Sequence, residues 1–167
     1  MMLPSTMSIP DPAALPRAAF RSRHHPDVAG RAMALASVWA PLAPWVLAPM
    51  VAGVLAALMQ APLGGFWLVA AITALLLALV FWQRVERTVV EATLDGGFVR
   101  LRSLGDVLGG RDGDFVPLLD ARYAAPTLVV TAGDQVRDLH APDWPDGLRV
   151  ALGEARRALH GVEVVGV

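Results

Sequence analysis

Three places in the chain hold residue types that could do chemistry. His24-His25 could ligate a metal through imidazole nitrogen. Asp106, Asp112 and Asp114, around the run Gly109-Gly110-Arg111-Asp112-Gly113-Asp114, have part of an oxygen-rich cation loop. His140 stands between Asp138 and Asp143, the raw material of acid–base work. Each falls short on its own terms. Adjacent histidines point different ways on most backbones, so a headgroup-facing basic patch with Arg21 and Arg23 is the better account of the first. A calcium loop alternates its ligands and closes on a Glu, and none follows at the right distance, so a solvated turn is expected. His140 has no nucleophile to serve, because the chain lacks Cys and no Ser has a nucleophile-elbow context. It reads as a surface histidine at a strand end. Trp144, between Asp143 and Pro145, reads as a plug under a helix. There is no P-loop and no dinucleotide fingerprint. The expectation is a protein that is not an enzyme, with no cofactor and no metal site.

Charge narrows the class further. Residues 1–31 carry four Arg against two Asp, for a net +2, and residues 84–167 carry ten Arg against thirteen acids, for a net −3. The second part has no basic surface for nucleic acid. All fourteen basic residues are Arg, which a GC-rich genome explains more simply than phosphate recognition. The absence of Cys excludes disulfides and thiolate sites.

Between these charged parts lie 52 positions, Ala32 to Gln83, without one charged residue or histidine. A bilayer core about 30 Å thick takes roughly 20 apolar residues of helix, so the stretch fits two passes. Gln60-Ala61-Pro62-Leu63-Gly64-Gly65 divides it with turn residues. The organisation expected is an extended, Pro-rich tail over 1–31, a two-helix transmembrane hairpin over 32–83 with its turn at 60–65, and a cytoplasmic domain over 84–167. Helix one ends near Met59, and helix two runs from Phe66 to about Gln83. Pro41, Pro44 and Pro49 make helix one irregular. Either a first segment around Ala32–Ala40 precedes a span starting near Pro44, or one long kinked helix starts at Met33.

Arg21, Arg23 and Arg31 flank the first helix and Arg84 the second, while the connecting turn has no charge. The positive-inside rule then leaves both termini cytoplasmic, with these arginines at the lipid headgroups. Trp45, Trp67 and Trp82, like Trp39, lie towards helix ends, where indole prefers the interface. Ala48, Ala52 and Ala56 in helix one, and Ala70, Ala74 and Ala78 in helix two, each share a face at a spacing of four. Small faces allow close helix approach, most obviously to one another, although alanine is simply abundant here. No ionisable group lies in the span, which argues against transport, proton relay and haem or chlorophyll ligation.

The tail is not a signal peptide, because prolines at 4, 10, 12 and 16 break it before the first apolar run. Leu3, Met7, Ile9, Leu15 and Phe20 suit an extended segment laid along a partner protein. An unstructured leader or a misplaced start is the alternative.

Past Arg84 the period changes. Thr88–Leu94 and Phe98–Arg102 flank the turn Asp95-Gly96-Gly97 as a hairpin. Leu104 to Asp114 is glycine-rich and reads as a loop. Phe115–Leu119, continuing through Tyr123, and Thr127–Thr131 read as strands, and Gln135–His140 as a weaker one because alternation fails. A helix follows, capped by Asp143 or Asp146, with Leu148, Leu152, Ala155 and Leu159 on one face and Gly161 at its end. Val162–Val167 is a last strand or a docked tail. The fold class is therefore a membrane α-hairpin plus a small α+β domain of five or six antiparallel strands and one C-terminal helix.

A hairpin, then the strand pair about Asp95-Gly96-Gly97, the Thr127–Thr131 strand and a closing helix, over about Arg31 to Gly161, resembles the bacterial membrane-anchored PH-like proteins. The resemblance implies a PH-like domain and a binding or scaffolding role without catalysis. The leading expectation is a non-catalytic accessory or assembly subunit of a larger complex in the bacterial cytoplasmic (inner) membrane. Its partners would be other membrane protein subunits and the bilayer. A respiratory or photosynthetic complex is a suitable host, and nothing in the sequence selects one. The alternative is a membrane-anchored lipid- or peptide-binding regulatory module, with Arg100, Arg102 and Arg122 as the candidate rim.

Overall fold

A computed structural model describes residues 17–59 and 64–162, with side chains to residue 157. The chain forms two compact units. One gathers the residues up to Ser22, Glu91–Leu101 and everything from Gly113; the other takes Arg23–Val90 and Arg102–Asp112.

The first unit is built on six antiparallel strands in sequential order: β1 Ala18–Arg21, β2 Val89–Asp95, β3 Phe98–Ser103, β4 Val116–Ala124, β5 Thr127–Ala132 and β6 Gln135–His140. Five of them were legible as the meander after residue 84. The sixth, β1, is a departure from the expected extended tail: residues 18–21 pair in full with β2, Ala18 opposite Leu94 and Arg21 opposite Glu91. Its Ala-Ala-Phe-Arg sequence carries no strand period of its own, and the partner edge supplies the order. Gly96, at φ +60°, takes the left-handed position of the β2–β3 turn. β5 is the cleanest strand, burying Leu128, Val130 and Ala132 and alternating with half-buried neighbours. β6 pairs with β5 residue for residue, Leu139 opposite Leu128, despite its broken alternation. Cross-strand pairing overrides the weak local pattern there.

The closing helix, α6 (Asp146–Val162), lies on β4 and buries Leu148, Leu152 and Ala155 at helical spacing. Helix continues through the expected terminator Gly161. The side chain of Leu159 and the segment 163–167, expected as strand or tail, fall outside the described residues.

The second unit is helical. It starts with α1 (Pro26–Ala29) and α2 (Arg31–Trp39), then a 3₁₀ turn, Ala40–Leu42, and α3 (Ala43–Leu58). The break is the one proline chemistry requires, since Pro41 and Pro44 both withhold a donor from the ladder. The backbone stays helical from Arg31 to Leu58 through the 3₁₀ turn, so helix one has the expected irregularity without choosing between its two expected forms. α4 runs Gly64–Arg87, beginning inside the expected turn and passing Gln83 by a full turn. Arg84 and Arg87 extend it rather than end it, because cations suit the negative end of the helix dipole. Arg31–Leu58, taken through the 3₁₀ turn, and Gly64–Arg87 are long and apolar enough to cross a membrane. Residues 60–63 of the expected turn lie outside the described residues.

The expected loop after Ser103 begins with a short helix, α5 (Leu104–Leu108). Its start is a capping box. Ser103 Oγ accepts from the Asp106 N–H at 3.1 Å, and the Asp106 carboxylate accepts from the Ser103 N–H at 3.0 Å. Glycine content concealed that signal. Leu104 is fully buried, in a core with Ala34, Val38, Val85 and Val90. The outer part of the unit is the reverse: α3 buries no side chain, and α4 only Val85.

Candidate functional site

α4 runs beside α3 and the end of α2, with an aromatic contact near each end. Near one end the Phe66 ring lies directly on Gly53, leaving no room for a Cβ there. At the other, Trp39 and Phe81 meet edge to face, ring centres 5.5 Å apart. Between these contacts lies an open cleft of about 800 Å³. α3 lines it with Val46, Pro49, Met50, Gly53, Val54 and Ala57, and α4 with Phe66, Trp67, Ala70, Thr73, Ala74, Leu77, Ala78 and Phe81.

Ala70, Ala74 and Ala78 of α4 line this cleft, whereas Ala48 and Ala52 of α3 do not. Ala48 and Ala52 are exposed, and the half-buried stripe of α3 is Val46, Pro49, Gly53 and Ala56. Small residues face bulkier ones across a gap held open by aromatic rings, so the result is a cleft rather than a close crossing. Pro49, read only as a helix breaker, and Gly53 and Phe66, given no role, were missed. Their signal was the spacing of three and four that places 46, 49, 53 and 56 on one face. Trp67 lines the cleft, whereas Trp45 and Trp82 point away and are exposed.

The lining holds no carboxylate and no imidazole, and its one hydroxyl is that of Thr73. It can perform no proton transfer and offers no hard ligand to a metal. What it can do is exclude water from hydrocarbon.

Charge in this unit is distributed unevenly. Arg111 bridges Glu86, both oxygens at 2.9 Å, and Asp106 at 3.0 Å. Arg102 donates to the Arg111 carbonyl at 3.0 Å and lies 3.7 Å from Asp112. Burial pushes the Asp106 carboxyl up, but the hydrogen bonds from Ser103 and the Arg111 charge outweigh it and hold the group below the usual carboxylate range. Glu86, first by hydrogen bond and then by charge, raises the Arg111 guanidinium further. Arg31, Arg84 and Arg87, by contrast, are exposed, and none has an acidic partner among the described residues.

The other sequence-predicted residues separate. Leu3, Met7, Ile9 and Leu15 fall outside the described residues. Phe20 sits half-buried in β1, its ring 3.3 Å from where a Cβ on Gly147 would lie, so its own domain covers it. Arg21 is an exposed strand residue opposite Glu91. Arg23 donates to His24 Nε2 at 3.3 Å. His25 is no surface histidine, correcting the expected patch: it is 2% exposed, and its Nδ1 caps α1 by accepting from the Asp27 N–H at 3.1 Å. His140 is exposed, with Asp143 3.3 Å from its Nδ1. Trp144 is buried, as a plug should be, beneath a small cleft of about 200 Å³ rimmed by Tyr123, Pro142, Pro145 and Arg149. The candidate rim arginines are engaged by their own chain. Arg100 stacks on Phe115 at 5.0 Å, as does Arg17 from 5.3 Å, and it lies 3.9 Å from Glu91. Arg122 pairs with Asp120. Among the described residues, no three of His, Asp and Glu gather as a metal cluster.

Comparison with known protein families, with curated proteins and with solved structures gives no match.

Proposed function

We propose that the chain is a non-catalytic accessory or assembly subunit of a larger complex, anchored in the cytoplasmic membrane by α3 and α4 with both termini on the cytoplasmic side. The observation that carries this is the exposure of the helix pair. Leu47, Leu55, Leu68 and Leu75 are each more than half exposed, on helices that carry no charge before Arg84. In water that surface would drive aggregation; in lipid it is solvated.

The sheet gives the topology independent support. β1 precedes the helix pair and β2 follows it, and the two are hydrogen-bonded neighbours. That pairing is what an even number of crossings would allow, and it supports leaving both ends on one side. The meander with its closing helix supports reading the sheet unit as PH-like. The carbon lining of the cleft supports binding rather than turnover. The regulatory alternative is the weaker reading, because Arg100, Arg102 and Arg122 already face acids of this chain.

Purification of the full chain in mild detergent tests the proposal. Integral subunits should co-purify in constant ratio after alkaline carbonate washing of the membranes. A chain released by the wash, or one that purifies as a lone monomer, removes it.

A further inference from the structure

We infer that the cleft between α3 and α4 is a binding site for an anionic phospholipid, with an acyl chain between the helices and the phosphate at Arg84. The inference rests on the membrane reading above and adds a ligand to it. Three observations carry it.

The first is shape. From Phe66 to Phe81 is about 22 Å of helix at 1.5 Å per residue, so the cleft is long enough to take an extended acyl chain along the helix axis. The second is lining chemistry, which offers carbon and one hydroxyl and so suits an alkyl chain alone.

The third is charge. Leu77, Phe81 and Arg84 follow one another at four and three residues, on one face of α4. Arg84 therefore stands about one turn beyond the Trp39–Phe81 contact at that end of the cleft. Arg87 continues the same helix end. Arg31 opens α2, whose Ala34 and Val38 share a core with Val85 just past Arg84. Arg84 and Arg87 have no acidic partner among the described residues, and a lipid phosphate would complement them. A zwitterionic headgroup brings its own cation and gains less.

Brominated acyl chains quench tryptophan on contact, and two of the five tryptophans, Trp39 and Trp67, line the cleft. Full-length variants keeping Trp39 alone, or the exposed Trp45 alone, with Phe at the other four positions, are reconstituted in phosphatidylcholine vesicles. Brominated phosphatidylglycerol and brominated phosphatidylcholine are compared at equal mole fraction. Trp39 should favour the anionic lipid about fivefold, the scale of one arginine at a lipid surface. Arg84→Gln should remove most of that preference by losing the phosphate contact, and Ala74→Leu should remove it by filling the cleft. Equal quenching of Trp39 by both lipids overturns the site, as does a preference that survives both substitutions. Trp39 shielded from both lipids while Trp45 is quenched means that protein fills the cleft, and also overturns it. Trp45 unquenched by either lipid overturns the membrane reading itself.

Discussion

Both carboxylate oxygens of Glu86, in the last turn of α4, lie 2.9 Å from Nη2 of Arg111. The same guanidinium holds Asp106, the acid of the α5 capping box, so one side chain joins two helix ends. Arg111 is more than half exposed, so solvent screens much of this attraction. Arg111→Ala should lower Tm slightly, because the guanidinium serves two acids in a network that solvent screens. A double-mutant cycle with Glu86→Ala, read by thermal unfolding in detergent, measures the coupling; additive losses would show that the contact contributes nothing.

Gly105 is shaped by the same pair. A Cβ there would lie 2.8 Å from Glu86 Cδ and 2.9 Å from each of its oxygens. Glu86 can swing aside only by leaving Arg111. Gly105→Ala should therefore be close to neutral in the parent, where lost pairing offsets the usual helix gain of about 0.5–1 kcal/mol. In an Arg111→Ala background the full gain should appear as a raised Tm. Equal effects in both backgrounds would break the link.

Ser103→Ala should cost about 1 kcal/mol by removing the cap of α5. It should also alter the acid side of the stability profile. Asp106 is held below its ordinary value in the folded chain, so its contribution is fully present above the unfolded value and is lost as pH falls through the folded one. Asp120 behaves in the same sense: burial opposes ionisation there, but Arg122 and Arg156 outweigh it. Tm should fall on acidification below about pH 4, and Asp106→Asn or Asp120→Asn should each flatten that fall. A slope unchanged in both variants would refute the assignment.

α6 separates core from surface within a few residues. Leu152 is 1% exposed and Val150 is 54% exposed. Leu152→Ala should cost about 2–5 kcal/mol, and Val150→Ala should stay within about 0.5 kcal/mol. Circular dichroism melts of the two variants distinguish them; similar losses would mean that α6 does not bear on the sheet as described.

What the sequence made legible depends on whether the cause was local. The helix pair came from missing charge, the β2–β3 turn from Asp95-Gly96-Gly97, and the buried stripe of α6 from Leu148, Leu152 and Ala155 spaced for one face. α5 was hidden although Ser103 and Asp106 stand three apart, because four glycines nearby outvoted the cap. β1 could not be read, since only the edge of β2, 69 residues further on (Ser22–Val90), gives Ala18–Arg21 its shape. The cleft was not legible: the small residues at fours on its α4 wall suggested close approach, and the opening depends on Phe66 settling over Gly53, a contact between elements that spacing alone does not specify.

The pairing of β1 with β2 also orders events during synthesis. β1 leaves the ribosome early and has nothing to pair with until both apolar helices have been made and the chain has come back. Loop closure over that distance grows only logarithmically with length, so the delay sets a sequence of steps more than an energetic penalty. On the proposed topology, a hairpin stalled halfway would strand β1 across the bilayer and leave one edge of β2 bare, the kind of surface that recruits foreign strands.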